Sequence, residues 1–207
     1  GSVVYRRSTD FGSTWGSVVT LMTVTDPPDP PPHGDTIFEI GMGPSQTSLC
    51  ANGNYVHAIW DIDSVWTYYI NLGGGDTDTV ERHHYWIYYA RSTNAGVNWS
   101  SPVLLHNLDS VTYAPAVAAA GTYVYVVWVD HTPPKGTGNN NASIYFVRSP
   151  DGGKTFGQSK IVNDEYKNGD FIHDFPDVSV DESKNIFVFW VDDREGAYNI
   201  YSAVSKD

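Results

Sequence analysis

Short apolar runs bounded by Gly, Pro, Asn or Asp recur along the whole chain. The three strongest end in Trp followed within two residues by Asp, and they are Tyr55 to Asp61, Tyr123 to Asp130 and Ile186 to Asp192. A shorter run introduced by proline precedes each of them, and a run rich in Ile and Tyr follows each one. Such runs of β-branched and aromatic residues predict β-strands. The chain is therefore predicted to be all-β, with four short strands in each repeating unit.

A nine-residue motif follows the third predicted strand of each unit. Its three copies are Arg7 to Trp15, Arg91 to Trp99 and Arg148 to Phe156, and Ser205 to Asp207 opens a fourth. Because the chain must reverse tightly, Asp or Asn is expected to accept backbone N–H bonds and Gly to supply a positive φ. The closing Trp or Phe is expected to pack back as a hydrophobic anchor. The positions assigned these structural roles are Ser8, Asp10, Gly12, Trp15, Ser92, Asn94, Gly96, Trp99, Ser149, Asp151, Gly153 and Phe156.

The motif and its strands resemble the Asp-box, or bacterial neuraminidase repeat, β-propellers, a superfamily that includes sialidases, sortilin-type receptors and plant-polysaccharide hydrolases. The resemblance implies consecutive four-stranded antiparallel blades, with structural Asp boxes that lie away from the ligand face. The predicted organisation is half a blade in 1–25, blades in 44–107 and 114–163, and three strands of a blade in 175–207. We expect an incomplete ring, closed by further blades of the same polypeptide or by homo-oligomerisation.

Irregular polar segments are predicted on the face opposite the motif. They are a long insertion at 62–85, residues 131–141, and the inter-blade connections 26–33 and 163–174. Long loops on one face of a rigid scaffold are where binding residues usually lie. The ligand-face candidates are Asp61, Asp63, Arg82, Asp130, His131, Asp192, Asp193 and Arg194.

A structural role is favoured over ligand binding for the residues that recur in each unit. Asp61, Asp130 and Asp192 are interpreted as occupying the same place in each unit, so strand-end capping is favoured over catalysis. Trp60, Trp128 and Trp190 also recur and are predicted to form core between blades rather than platforms for sugars.

The net charge is −12, from 24 acidic and 12 basic residues. Such a surface repels polyanions, so nucleic acid is excluded as a partner, and no apolar stretch is long enough to span a membrane. Cys50 is the only cysteine, which excludes an intrachain disulfide. No cofactor is evident from the sequence. Calcium is possible, with Asp76 and Asp78 as weak ligand candidates, but a solvated loop is the favoured interpretation of that segment.

The leading hypothesis is a non-catalytic extracellular or cell-surface module that binds a glycan or a protein. The first alternative is a fragment of a sialidase-type glycoside hydrolase. Sialidases bind a carboxylate with three arginines, and Arg194 is the best match because Arg7, Arg91 and Arg148 belong to the motif. The second alternative is an architectural repeat segment of a surface-layer or filament protein, with open blade edges paired between subunits.

Overall fold

The computed structural model describes residues 1–24, 37–73, 76–106, 111–131, 142–164 and 173–205, without the side chains of 37–42, 66–73 and 76–84. All regular elements in this part of the chain are β-strands, which confirms the predicted all-β class. In chain order they are β1 (Ser2–Tyr5), β2 (Val19–Thr23), β3 (Ile37–Asn52), β4 (Tyr55–Gly73), β5 (Asp76–Ser92), β6 (Val103–His106), β7 (Thr112–Ala120), β8 (Tyr123–Asp130), β9 (Ser143–Ser149), β10 (Lys160–Ile161), β11 (His173–Val180), β12 (Ile186–Asp192) and β13 (Asn199–Ser205).

The strands form four antiparallel sheets in which neighbours in sequence are neighbours in space. The first sheet is β1-β2, the second β3-β4-β5-β6, the third β7-β8-β9-β10 and the fourth β11-β12-β13. The sheets follow one another in the fold, because β3 contacts β7 and β7 contacts β11. The leading strands of successive sheets therefore lie side by side.

The prediction of an irregular insertion at 62–85 is wrong. β4 continues to Gly73 and β5 begins at Asp76, so these residues form a long hairpin, and β3 pairs along the same extension. The run from Val65 to Ile70 consists entirely of β-branched and aromatic residues, which favour a pleated strand over a loop. The predicted segments 26–33, 132–141 and 165–172 lie outside the described residues.

The apolar core is divided into three clusters, one between each pair of successive sheets. Trp60 lies with Val3 and Val24 between the first and second sheets. Trp128 lies between the second and third sheets, and Trp190 between the third and fourth. All three indoles are almost fully buried, which confirms that these tryptophans are core. Burial of one large aromatic per junction stabilises the packing of each sheet on the next.

Each motif forms a turn held by its own side chains. In the third sheet, the Asp151 carboxylate accepts the Thr155 backbone N–H at 2.9 Å and the Thr155 hydroxyl at 2.7 Å. The Ser149 hydroxyl donates to Asp151 and accepts the Gly153 N–H, both at 2.8 Å. The turn around Asp10 repeats all of these bonds, and the turn around Asn94 repeats them except for the hydroxyl bond, because residue 98 is Asn. Hydrogen bonds to short polar side chains thus replace the ladder of backbone hydrogen bonds where the chain reverses direction.

The motif turns of the second and third sheets also pack against the preceding sheet. The Tyr89 ring meets Phe156 edge-on at 4.9 Å, and a Cβ built on Gly153 would lie 2.6 Å from Tyr89 Cζ. The Arg91 guanidinium donates to the Gly152 carbonyl at 3.0 Å. These contacts hold one sheet against the next. They require Gly at the point of contact, because a Cβ there would clash.

The same kinds of contact hold the first and second sheets together, with different residues. Tyr5 meets Trp99 at 5.0 Å and covers Gly96, while Arg7 donates to the Ala95 carbonyl at 2.7 Å. The expectation that the aromatic packs back is wrong for Trp15, which is 57% exposed. The aromatic is covered by the tyrosine of the preceding sheet, and no sheet precedes the first one in the described part of the chain.

His57 is a buried histidine of the second sheet that predicts a pH dependence. Its Nδ1 lies 2.6 Å from the Tyr89 hydroxyl, and burial together with the nearby Arg91 lowers its pKa from 6.5 to about 4. The unfolded chain binds this proton near pH 6.5, so the free energy of unfolding falls as the pH decreases from 6.5 to 4. The difference between the pKa values of the unfolded and folded states corresponds to about 3 kcal/mol of unfolding free energy.

We expect His57→Gln to remove this component of the acid sensitivity. Urea unfolding at about pH 7 and about pH 4.5 measures the loss in each protein, and the wild type should lose about 2 kcal/mol more than the variant. Equal losses in the two proteins would show that His57 is protonated as easily in the folded state as in the unfolded state.

Candidate functional site

The sheets have two chemically different ends. The motif turns lie at one end, which we call the motif end. At the other end, β8 and β12 finish at Asp130 and Asp192, paired with the first residues of β7 and β11. We call this the polar end because the buried carboxylates of Asp130 and Asp192 lie there, each beside a histidine.

The junction between the third and fourth sheets holds a buried histidine–carboxylate pair. His173 Nδ1 lies 2.8 Å from the Ala142 carbonyl, and its Nε2 lies 3.1 Å from Asp192 Oδ2. Because a carbonyl only accepts, Nδ1 carries a proton. Asn163 lies beside the same Nε2 and accepts the Ile144 N–H at 2.7 Å. Burial lowers the pKa of His173, although Asp192 opposes that shift.

Arg194 joins this cluster through Asp192. Its Nε donates to Asp192 Oδ2 at 2.8 Å, its backbone N–H donates to Asp192 Oδ1 at 2.9 Å, and its Nη1 donates to Asp164 at 3.2 Å. The guanidinium also lies 4.2 Å from the centre of the Tyr201 ring, and the side chain is only 4% exposed. Arg194 is therefore a buried cation that is paired with Asp192 and Asp164.

Asp192 remains ionised because of these partners. Burial raises its pKa, but hydrogen bonds from Arg194 and Trp190 and the proximity of His173 bring the pKa below its usual range. Asp192 also caps the end of β12 through the Arg194 N–H, as the recurrence predicted.

The junction between the second and third sheets holds a related pair. His106 Nε2 lies 2.8 Å from Asp130 Oδ2, and the His106 ring lies 5.5 Å from Trp128. His106 ends β6, the last strand of the second sheet, whereas His173 begins β11. At the junction of the second and third sheets the histidine belongs to the earlier sheet, whereas at the junction of the third and fourth sheets it belongs to the later one. In both cases it contacts the carboxylate at the same strand end.

Asp61 does not share that position, so the prediction that it recurs with Asp130 and Asp192 is wrong. Trp60, Trp128 and Trp190 pair with equivalent tyrosines, and Asp61 follows its Trp by one residue whereas the other two follow by two. Successive strand residues point to opposite faces. Asp61 therefore faces the third sheet, and it lies within β4 rather than at a strand end.

Asp61 lies with Asp63 and Tyr85 in a polar group on the second sheet. Asp61 accepts the Gln46 N–H, and the Ala114 N–H of the third sheet also donates to it, although burial still raises its pKa. Burial, Asp63 and Asp61 together raise the pKa of Tyr85. The Tyr85 phenol is therefore held protonated beside two carboxyl groups.

Tyr113 extends this group toward the fourth sheet. Burial, the charge of Asp174 and a hydrogen bond to Asp174 raise the pKa of Tyr113 to about 12. The His131 ring lies 5.8 Å from the Tyr113 ring. Tyr85 also influences the pKa of Tyr113, so tyrosines from two sheets and carboxylates from two sheets lie in one region. This group of Asp61, Asp63, Tyr85, Tyr113, His131 and Asp174 is the candidate site.

Positive charge is almost confined to the motif end in the side chains that the structure describes. Arg194 is the exception, and it is bound to Asp192 and Asp164. The other described arginines and lysines lie in or beside the motif turns, in β10, or in the turn between β11 and β12. The charges that the structure describes around the candidate site are therefore predominantly negative.

The remaining predicted residues are only partly placed. Asp193 follows β12 and is half-buried. Arg82, Asp76 and Asp78 lie in strand β5 rather than in an irregular loop, and their side chains are outside the described part. No set of three or more His, Cys, Asp or Glu side chains is arranged to hold a metal ion among the described residues. The same residues contain no helix of a length and apolarity that would cross a membrane.

Sequence reasoning missed Tyr85, Tyr113, Asp174, His106 and His173. A signal was present for three of them. Thr112-Tyr113-Ala114 precedes Pro115 as His173-Asp174-Phe175 precedes Pro176. Aligning the units on proline rather than on the motif places Tyr113 and Asp174 at the same position, and His173 at the position of Thr112.

Comparison with known proteins assigns no family to the chain. No family model matches it. A search of curated proteins finds no significant match. The function must therefore be inferred from the residues of the polar end.

Proposed function

We propose that this chain is a segment of an extracellular or cell-surface Asp-box β-propeller that binds a carbohydrate at its polar end, without catalysing a reaction. The observation that carries the proposal is the candidate site, where Tyr85 and Tyr113 lie beside Asp61, Asp63 and Asp174. Tyrosine offers an apolar ring with a polar tip, and carboxylates accept hydrogen bonds from hydroxyl groups. That combination suits a polyhydroxylated ligand better than an apolar one.

The charge of the site further limits the ligand. Carboxylates dominate the described charges of the site, and Arg194, a described cation of the polar end, is neutralised by its own partners. An acidic sugar would be repelled, whereas neutral or amine-bearing sugars would be accepted. The pairing of Arg194 also disfavours the sialidase alternative, which needs an arginine directed at a carboxylate.

The test is calorimetric titration of the protein with matched oligosaccharides that are neutral, amine-bearing or uronic. We expect the neutral and amine-bearing oligomers to bind and the uronic oligomers to show no binding. Asp174→Asn should weaken binding about tenfold, since one hydrogen bond to a charged acceptor contributes about 1.5 kcal/mol.

Glu182→Gln is the matched control for this experiment. Glu182 lies in the exposed turn between β11 and β12 at the motif end and carries the same charge. Its substitution should leave the affinity unchanged. The proposal fails if none of the oligomers binds, or if the two variants weaken binding equally.

A further inference from the structure

The second motif turn differs from the other two in the side chains that hold it. In the turns around Asp10 and Asp151, the threonine four residues later donates its hydroxyl to the carboxylate, at 2.6 Å and 2.7 Å. The second turn has Asn94 and Asn98 at these two positions. The Asn98 backbone N–H still donates to Asn94 Oδ1 at 2.8 Å, but no hydrogen bond joins the Asn98 carboxamide to another described residue. The side chain at this position is therefore bonded within the turn in two copies of the motif, but not in the second copy.

Asn98 is also exposed, and its exposure is a property of the turn. Thr14 and Thr155 hold the same position in the other two turns and are exposed as well, although different sheets lie beside them. Trp99 follows Asn98 and packs on a tyrosine of the preceding sheet, with ring centroids 5.0 Å apart. Ser100, on the other side of Trp99, is exposed again. The turn thus holds Trp99 against the neighbouring sheet and presents the polar residue on either side of it to solvent.

Asn98-Trp99-Ser100 has the sequence of an acceptor for N-linked glycosylation, which is Asn, any residue except Pro, and Ser or Thr. The two side chains that define the acceptor, the carboxamide and the hydroxyl, both belong to exposed residues. The Ser100 hydroxyl accepts the Arg91 N–H at 3.1 Å, an interaction that leaves the hydroxyl proton available to donate. The tripeptide is therefore accessible at both of its essential positions.

A second acceptor tripeptide, Asn141-Ala142-Ser143, is less suited to modification. Asn141 lies outside the described residues. Ala142 and Ser143 are 2% and 6% exposed, and Ser143 begins β9, where it pairs with Asp130. The Ala142 carbonyl also accepts a hydrogen bond from His173. Because two of its three residues are buried in the folded sheet, the tripeptide at Asn98 is the better acceptor of the two.

We propose that Asn98 is a site of N-linked glycosylation. The inference rests on the extracellular location that is part of the proposed function, because the transfer takes place on the secretory route. The attached glycan lies at the motif end, so the candidate site at the polar end stays accessible.

The donor for this modification is an oligosaccharide linked to a lipid through a diphosphate. The Asn98 amide nitrogen forms a bond to the anomeric carbon of the oligosaccharide, and the bond from this carbon to the diphosphate oxygen breaks. The lipid diphosphate leaves, and one amide proton passes to a base of the transferase. The free carboxamide of Asn98 is the group that this reaction consumes.

Glycopeptide mass spectrometry of the protein purified from its native source tests the proposal. We expect the peptide that contains Asn98 to carry a glycan, and peptide N-glycosidase to release the glycan and convert the asparagine to aspartate. Secreted native protein with an unmodified Asn98 would overturn this inference and leave the proposed carbohydrate site intact. Recovery of the native protein exclusively from inside cells would overturn the extracellular location, and this inference with it.

Variants of the chain, fused to a secretion signal and secreted by a eukaryotic cell line, test the acceptor residue by residue. Asn98→Gln keeps the backbone N–H and should lose the glycan, and Ser100→Ala should lose it although Asn98 is still present. Ser101→Ala is the matched control, since Ser101 is an exposed serine that lies just outside the tripeptide. Ser101→Ala and Asn141→Gln should both keep the glycan at Asn98. A wild type without a glycan at Asn98, or a Ser100→Ala variant that still carries one, would contradict the proposal.

Discussion

Replacing Gly153 with Ala is expected to lower the free energy of unfolding by about 3 kcal/mol, whereas the same change at Gly12 should cost about 1 kcal/mol. Both residues have a positive φ, +79° for Gly153 and +87° for Gly12, so both substitutions introduce the same backbone strain. Only Gly153 lies under a side chain of the preceding sheet, since nothing lies within 4 Å of a Cβ built on Gly12.

The difference between the two variants therefore isolates the contact between sheets. Urea unfolding of both variants and the wild type gives the three free energies under one set of conditions. Combining Gly153→Ala with Tyr89→Phe should recover little, because the ring carbon Cζ also lies too close to the added Cβ. Equal destabilisation by the two substitutions, at Gly12 and at Gly153, would show that the motif turn does not contact Tyr89.

Arg194→Ala is expected to lower the free energy of unfolding by about 4 kcal/mol. The substitution leaves the fully buried Asp192 carboxylate without its charged partner, and a buried charge without compensation is costly. Arg6→Ala, at an exposed arginine, should cost less than about 0.5 kcal/mol. Chemical unfolding at neutral pH distinguishes the two.

The pH dependence gives this prediction a second readout. In the wild type the pKa of Asp192 is lowered, so its contribution to stability is present at neutral pH and is lost as the pH falls through the folded-state pKa. In Arg194→Ala burial acts with less opposition, and the carboxyl binds a proton more easily when folded. The gap between the two proteins should therefore narrow below about pH 4.

Arg194→Ala combined with Asp192→Asn should recover part of the loss, because no buried charge remains. If Arg194→Ala has wild-type stability at every pH, then the arginine is not a structural partner of Asp192. Such a result would return Arg194 to the role of a ligand-binding residue.

The strand pattern and the tryptophan core were predictable because they depend on local periodicity. Trp60, Trp128 and Trp190 are buried at successive junctions, as their recurrence predicted. The long hairpin at 62–85 was missed because glycines and charged residues around Gly73 and Arg82 concealed a strand-forming run. Counting residues from the motif also concealed that Asp61 lies one residue closer to its Trp than Asp130 and Asp192 do. The strand register shows this offset.

Contacts between sheets were less predictable, since they join residues far apart in sequence. Nothing local indicates that Tyr5 covers Gly96 or that Tyr113 bonds Asp174. The exposure of Trp15 has the same origin, because its environment depends on a neighbouring sheet rather than on its own turn. The candidate site therefore became visible only when three sheets were placed side by side.

Ligand binding at the polar end, and not at the motif turns, is measured most directly by hydrogen–deuterium exchange of the protein with and without a saturating neutral oligosaccharide. We expect slower exchange in the segments that contain Tyr85, Tyr113 and Asp174. Exchange in the motif turns that contain Asp10 and Asp151 should be unchanged. Slower exchange confined to the motif turns, with none at the polar end, would contradict the proposed site.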